Sequence, residues 1–281
     1  MAIVRLHFDG SASVLCGTSD MGQGARTVLT QIAAEALGLE PDRIAIVMGD
    51  TSVVPFDSST SASRSTVFMG NAVLDACASI THQLQSISER VPGGHSLSPA
   101  DLLKAHFGPP RCELIGVGES GNAYDASHPL GGRAAFWELM CAAAEVEVDP
   151  ETGVVTVHKL VLVSDVGKAL NPHQVEAQDE GAAIMGLGHT LMEQLVLGAD
   201  GRILNLGSLD YRIPSIKDVP LELESHLIEN ADGPGPYGAK GAGEGGTLAV
   251  AAAIGAAINQ AAGVTIRDLP ITPERIWRAR Q

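Results

Sequence analysis

The feature that most restricts how this chain folds is a plan that occurs twice. "IVRLHFDGSASVLCGT" alternates apolar and polar residues on either side of Asp9-Gly10, the pattern of a β-hairpin. "DMGQG" follows, then a helical segment and the short apolar run "RIAIVMGD", which reads as a buried strand. In "ARTVLTQIAAEALG", Val28, Leu29, Ile32, Ala33, Ala36 and Leu37 share one helical face, and Gly38 suits a left-handed C-terminal cap. After an irregular stretch, "TSVVPFDSSTSASRST", the spacing of Val73, Ala76, Cys77, Ile80, Leu84 and Ile87 predicts a long amphipathic helix. "AAEVEVDPETGVVTVHKLVLVSDVG" then repeats the hairpin, with its turn at Pro150 to Gly153. A helix expected from Pro172 to about Leu195, a strand near "LELESHLIE", the loop "GAKGAGEGG" and an apolar helix complete the second half.

Each half therefore reads hairpin, Asp-x-Gly turn, glutamine at or near a helix start, strand, helix. Such a sheet has one apolar face that helices must cover, so the expectation is an α+β fold of two duplicated ββαβα-like units. The lobes fall at about 1–90 and 136–281. The stretch 91–135, rich in proline and glycine, reads as a covering insertion with one short helix, "SPADLLKAHF".

Charge and cysteine usage remove several function classes. A formal net charge of −15 disfavours nucleic acid and an anionic membrane, because both are bound through Lys and Arg. The longest apolar run, residues 247–264, is interrupted by Asn259 and Gln260, so no membrane span is expected. The first residues enter an alternating strand without signal-peptide anatomy, and the expectation is a cytoplasmic protein. Cys16, Cys77, Cys112 and Cys141 form no CxxC pair, which argues against zinc or an iron–sulfur cluster held by this chain alone. The nine histidines lack ligand spacing; His158, His189 and His226 read as structural or surface residues.

"GAGEGG", Gly241 to Gly246, matches the dinucleotide pattern GxGxxG literally and opens a helix. That fingerprint needs a buried strand just before its first glycine, and "GPGPYGAK" is not one. GxxxxGK[ST] and GxSxG are absent. Three loops of small residues, "DMGQG", "TSASRS" and "GAKGAGEGG", each lead into a helix, whose first backbone N–H groups suit an anionic or phosphorylated cofactor. Gln23 and Gln178 offer amides at matching places in the two halves. Glu244 has two readings: a base in a small-residue pocket, where burial strengthens a carboxylate as a base, or a helix-terminal carboxylate facing the dipole. Lys240 reads as a surface or interface charge.

"DMGQGARTVLTQIAAEALGL", "GDTSVVPFDSSTSASRSTVFMGNAV", "DVGKALNPHQVEAQDEGAAIMGLG", "LDYRIPSIKDVP" and "GAKGAGEGGTLAVAAAIGAAINQAAG…LPITPERI" together resemble the molybdenum hydroxylases. This is the xanthine dehydrogenase/aldehyde oxidase family, and the likeness is to the C-terminal half of its molybdopterin-binding large subunit. The resemblance runs through nearly the whole chain in the family's order. It implies that Met21, Gly22 and Gln23 lie against the pterin, with Ala62, Ser63, Arg64 and Ser65 around the metal and phosphates, partly through backbone. It further implies that Gln178 is the second cofactor glutamine, that Gly241 and Gly243 let the backbone approach the cofactor, and that Glu244 is the catalytic base. The metal itself would be held by the pterin, with no direct ligand from this chain.

The resemblance also implies a reaction and a set of partners. The reaction is hydroxylation of an electron-poor carbon with water as the oxygen source, electrons passing through [2Fe–2S] clusters to FAD. The family's first half, with its own glycine-rich cofactor loop, is not found in these 281 residues, nor are the iron–sulfur and flavin modules. A companion chain would supply that first half and share a molybdenum–molybdopterin cytosine dinucleotide, while separate subunits carry [2Fe–2S] and FAD. An N-heteroaromatic substrate is the first expectation and an aldehyde the second. The alternatives are a non-catalytic cofactor-holding subunit of the same complex and, more remotely, an NAD-dependent dehydrogenase.

Overall fold

The computed structural model describes residues 1–108, 112–121, 127 and 134–281, so part of the expected insertion at 91–135 lies outside the described residues. The chain divides into two compact units. The first comprises Met1–Trp137, Gly167–Asn171 and Asn230–Gly241; the second comprises Glu138–Val166, Pro172–Glu229 and Ala242–Gln281.

In the first unit, β1 (Ala2–Leu6) and β2 (Ala12–Cys16) form the expected antiparallel hairpin, with Ala2 opposite Cys16 and Leu6 opposite Ala12. Gly10 takes φ 80 at its turn, a conformation that only glycine adopts without strain. Helix α1 (Ala25–Leu37) ends on Gly38 at φ 65, whose N–H donates to the carbonyls of Ala34 and Glu35. Strand β3 (Ile44–Met48) pairs parallel to β2, and α2 (Gly70–Ser88) is preceded by a π-helical turn over Ser65–Met69. The insertion contributes α3 (Pro99–Phe107) and β4 (Leu114–Gly118), which pairs antiparallel with β1 and completes the order β3-β2-β1-β4.

Two details differ from the sequence reading. β3 stands at the sheet edge, and of its five residues only Ile44 is buried. Residues 114–118 are an integral strand, because Gly116 and Gly118 let the α2 backbone lie directly on the sheet. A Cβ on either glycine would come within 2.0 Å of the Ala76 or the Ala72 carbonyl oxygen. Val4, Val14, Leu29, Ile32, Val73, Ile80 and Leu103 fill this unit's core.

The second unit repeats the order. β5 (Leu139–Val148) and β6 (Val155–Gly167) pair antiparallel with a bulge between Glu145 and Val146. Helix α4 (Pro172–Leu191), β7 (Glu222–Glu229) and α5 (Gly246–Ala262) follow, giving the sheet order β5-β6-β7, and α6 (Pro273–Ala279) closes the chain. α4 stops at Leu191, four residues before the expected end. Leu160, Leu162, Leu187, Val250, Ile254 and Ile258 form a separate core. Gly186 of α4 permits close packing on α5: a Cβ on it would stand 2.7 Å from Val250 Cβ.

Candidate functional site

Within the first unit, the loops after β2 and before α2 are stitched together. Gly17 packs so closely that a Cβ there would lie 2.6 Å from the Pro55 carbonyl oxygen. Ser19 N donates to Thr60 Oγ1 at 3.0 Å, and that hydroxyl donates back to the Ser19 carbonyl at 3.2 Å. Asp57 is the hub. Its carboxylate accepts from buried Thr18 Oγ1 at 2.9 Å and from Arg64 Nη1 at 3.1 Å. Arg64 Nη1 also donates to the Ser59 carbonyl at 2.6 Å, and its guanidinium lies 5.2 Å from the centre of the Phe68 ring. The Arg64 side chain is therefore turned into its own loop, leaving backbone and small side chains of residues 58–63 outward.

Ala62 and Ser63 both have φ 52, two consecutive non-glycine residues in the left-handed region. Such backbone costs roughly 1–3 kcal/mol per residue and persists only where its surroundings enforce it. The Asp57–Arg64 pair does so from one side. From the other, Gly241 presses on the strained peptide: a Cβ on it would sit 1.8 Å from the Ser63 carbonyl oxygen. The loops "SASRS" and "GAKG" thus meet through backbone.

In "DMGQG", Gln23 spends its amide on the loop itself, accepting from Met21 N at 2.8 Å and donating to the Ser19 carbonyl at 3.0 Å. The helix terminus beside it is not an open anion site. Asp20 accepts from Arg26 N at 2.9 Å and Gly22 N at 3.0 Å, and these hydrogen bonds, Arg26's foremost, hold its carboxyl below the usual carboxylate range. What the loop offers a ligand is exposed Met21 and the Gly22 backbone, at φ 106 with no other atom within 4 Å of where a Cβ would stand. Outward backbone held in fixed geometry beside an exposed methionine leaves room for a bulky group such as a pterin.

Of the two expectations for Lys240, a surface or an interface charge, the structure departs from the first. Its side chain is only 9% exposed, and Nζ reaches Asp232 Oδ1 at 2.8 Å. It closes the base of a tight turn in which Gly233 N and Gly235 N donate to the carbonyls of Gly238 and Ala239. The residues before "GAGEGG" form a one-turn 3-10 helix at Pro236–Gly238 and no strand, so the dinucleotide fingerprint lacks its context. A cavity of about 550 Å³ also lies in this unit, where Phe68, Asn71 and Asp75 face Glu119, Ser120 and Gly121. The insertion therefore lines a cavity beside the loop end of α2.

In the second unit, Glu244 is exposed just ahead of α5, its carbonyl accepting from Thr247 N at 3.1 Å. Among the described residues Glu244 does not sit in the buried small-residue pocket expected for it: it is exposed, and buried Gly245 and Gly246 follow it. Gly245 packs on the Glu138 carboxyl group, which would be 2.4 Å from a Cβ there. Gln178 is the seventh residue of α4, whereas Gln23 precedes α1, so the two glutamines do not occupy matching places. Beside Gln178, buried Asp179 accepts from Ser164 Oγ at 2.5 Å and Ser225 Oγ at 2.9 Å, joining β6, α4 and β7. His158 and His226 pair with Glu147 and Glu224 at 3.0 and 3.1 Å, as structural residues do. Among the described residues there is no cluster of His, Cys, Asp or Glu fit to hold a metal, and no helix long and apolar enough to cross a membrane.

Sequence reasoning missed Asp20, Asp57, Asp179 and the Lys240–Asp232 pair. Only Asp20, standing directly before a glycine loop, carried a local signal.

Residues 1–220 match the family model of the molybdopterin cofactor-binding domain. A probable hypoxanthine oxidase of Escherichia coli is 30% identical over 292 residues, which is 99% of this chain and 30% of that protein. A 6-hydroxypseudooxynicotine dehydrogenase complex subunit gamma of Paenarthrobacter nicotinovorans is 31% identical, over 98% of this chain and 36% of its own length. In crystal structures, the fold is similar to quinoline 2-oxidoreductase from Pseudomonas putida 86, with TM-score 0.82, 26% identity, and coverage of 100% of this chain and 38% of that one. The chain belongs to the molybdopterin cofactor-binding domain family, as a member of the molybdenum hydroxylases. It spans 30 to 38% of the length of these relatives.

Proposed function

We propose that this chain is the part of a molybdenum hydroxylase large subunit that supplies the catalytic base and half of the cofactor cradle. The substrate is an electron-poor carbon of an N-heteroaromatic ring, or second an aldehyde, and the site is completed by a companion chain. The cofactor is a molybdenum–molybdopterin cytosine dinucleotide, with [2Fe–2S] and FAD on further subunits. When bound, this group supplies a two-electron oxidation in which water is the oxygen source.

The observation that carries this reading is the pair of loops at 17–24 and 55–65, braced from within and presenting outward backbone inside the segment that matches the cofactor-binding family. Met21, Gly22 and the backbone of Ala62, Ser63, Arg64 and Ser65 would receive the pterin and its phosphates. Gln23 fixes the shape of its loop, and Gln178, Gly241 and Gly243 complete the chain's share. Arg64 acts through its grip on Asp57. Glu244 takes the proton released as the oxygen of water becomes a nucleophile, a general-base role worth about 10²–10⁴-fold in rate. Because Glu244 is exposed here, exclusion of water around it falls to the companion chain and the substrate.

The test is metal and nucleotide analysis of the complex co-purified with this chain, together with Glu244→Gln. Molybdenum with cytosine dinucleotide is expected, and the variant should retain metal while turnover falls at least 10²-fold. Active enzyme without molybdenum would sink the proposal. Full turnover in the loaded variant would establish the cofactor-holding, non-catalytic alternative.

A further inference from the structure

We propose that residues 195–221 of the second unit form the docking surface for the companion polypeptide, the one carrying the part of the large subunit that this chain does not match. Ten large apolar side chains in these 27 residues are exposed. Leu206, Leu209, Ile216 and Leu221 are 82%, 91%, 85% and 89% exposed. Single exposed apolar residues are ordinary on a protein surface, but ten within one 27-residue segment are too many for that and point to an interaction site.

The segment is built to present these side chains. Its polar groups turn back to its own root: Val196 N donates to Asn205 Oδ1 at 2.9 Å, and Asn205 Nδ2 donates to the Gln194 carbonyl at 2.6 Å. Tyr211 Oη donates to Glu193 Oε2 at 2.8 Å, and Ser215 N and Oγ both donate to Asp218 Oδ2 at 2.7 Å. Pro214 packs on the Gly188 backbone of α4. Asn205, Tyr211 and Ser215 thus brace the segment from within while its leucines stay outward, and a partner that covers them would remove that apolar area from water.

The occupant follows from length and charge, and its identity rests on the functional reading above. The relatives align with 98–99% of this chain yet carry it within a protein about three times as long, so a large further portion of polypeptide is available as the partner for an exposed apolar segment of this chain. A lipid surface fits poorly, since Asp200, Asp210 and Asp218 are interspersed with Arg202, Arg212 and Lys217 in a chain of net charge −15.

The test is affinity purification of the complex through a tag on this chain, with the companion identified by mass spectrometry as the bearer of the relatives' remaining portion. The triple variant Leu206→Asp, Leu209→Asp, Ile216→Asp should bind it at least 100-fold more weakly. Val154→Asp, at an exposed position outside the segment, should bind normally. Hydrogen exchange on the wild-type complex is the second readout: amides of 195–221 should gain protection relative to the isolated chain, and this holds even if the triple variant folds poorly. Undiminished binding by a folded triple variant, equal loss in Val154→Asp, or no gain in protection would overturn the proposal. So would a wild-type chain that self-associates through this segment while still binding the companion. A companion-bound complex without molybdenum would sink the functional reading and leave the docking surface standing.

Discussion

Asp57 shows how one carboxylate shapes a loop through its hydrogen bonds alone. It holds Arg64 at 3.1 Å and Thr18 at 2.9 Å, so it ties the end of β2 to the loop that carries the left-handed Ala62 and Ser63. Breaking a well-buried pair costs about 3–5 kcal/mol. The Arg64 side chain retains some exposure, so Asp57→Ala is expected to cost about 2 kcal/mol in urea unfolding and to reduce the cofactor content of the purified complex. Lys240 calls for a smaller figure. Its partner Asp232 is itself well exposed, and a methionine fits the largely buried stem, so Lys240→Met should cost no more than about 1 kcal/mol. Lys240→Glu should cost clearly more, because it sets a second carboxylate against Asp232. Equal Tm values for the wild type and Lys240→Glu would restore the surface-charge reading.

At the scale of elements, α4 and α5 meet through missing side chains. Gly186→Ala would force a methyl group to within 2.7 Å of Val250 Cβ and toward the Thr247 carbonyl. Overpacking of this kind costs roughly 1–3 kcal/mol, even though alanine is the better helix former. Thermal unfolding should show a net loss; a gain would mean that the helices can part freely. The same contacts explain which elements were legible in the sequence. α1 and both hairpins were, because a period of 3.6 or 2 is set by the face that each element buries. β4 was not, since Gly116 and Gly118 stand where alternation would call for large residues, and their reason is the α2 backbone. β3 was read as buried because an apolar run does not reveal that the strand lies at an edge. The candidate site divides in the same way. Its motif residues were named through a resemblance, whereas the Asp57–Thr18 and Lys240–Asp232 contacts join residues 39 and 8 positions apart, which no local pattern announces.

At the scale of the whole chain, two separate cores are sewn together by a backbone that passes between the units after Trp137, Val166, Asn171, Glu229 and Gly241. Core separation favours independent local stability, whereas repeated crossing favours a single cooperative transition. Ile254→Ala distinguishes the two. Ile254 is wholly buried among Leu162, Leu187 and Val250, in a core that shares no residue with that of the first unit. Truncating it removes contacts and leaves a cavity, costing about 2–5 kcal/mol. If the cores open independently, hydrogen exchange in β6, α4 and α5 should accelerate by the corresponding factor, while amides of β1, β2 and α2 keep their protection. Equal acceleration in both units would instead show that the five crossings impose one transition. The segment Asn230–Gly241 is the informative reporter. It belongs to the first unit but is followed directly by Glu244 and α5, so retained protection there would mean that the turn leading to the proposed base stays formed when the core behind that base loosens.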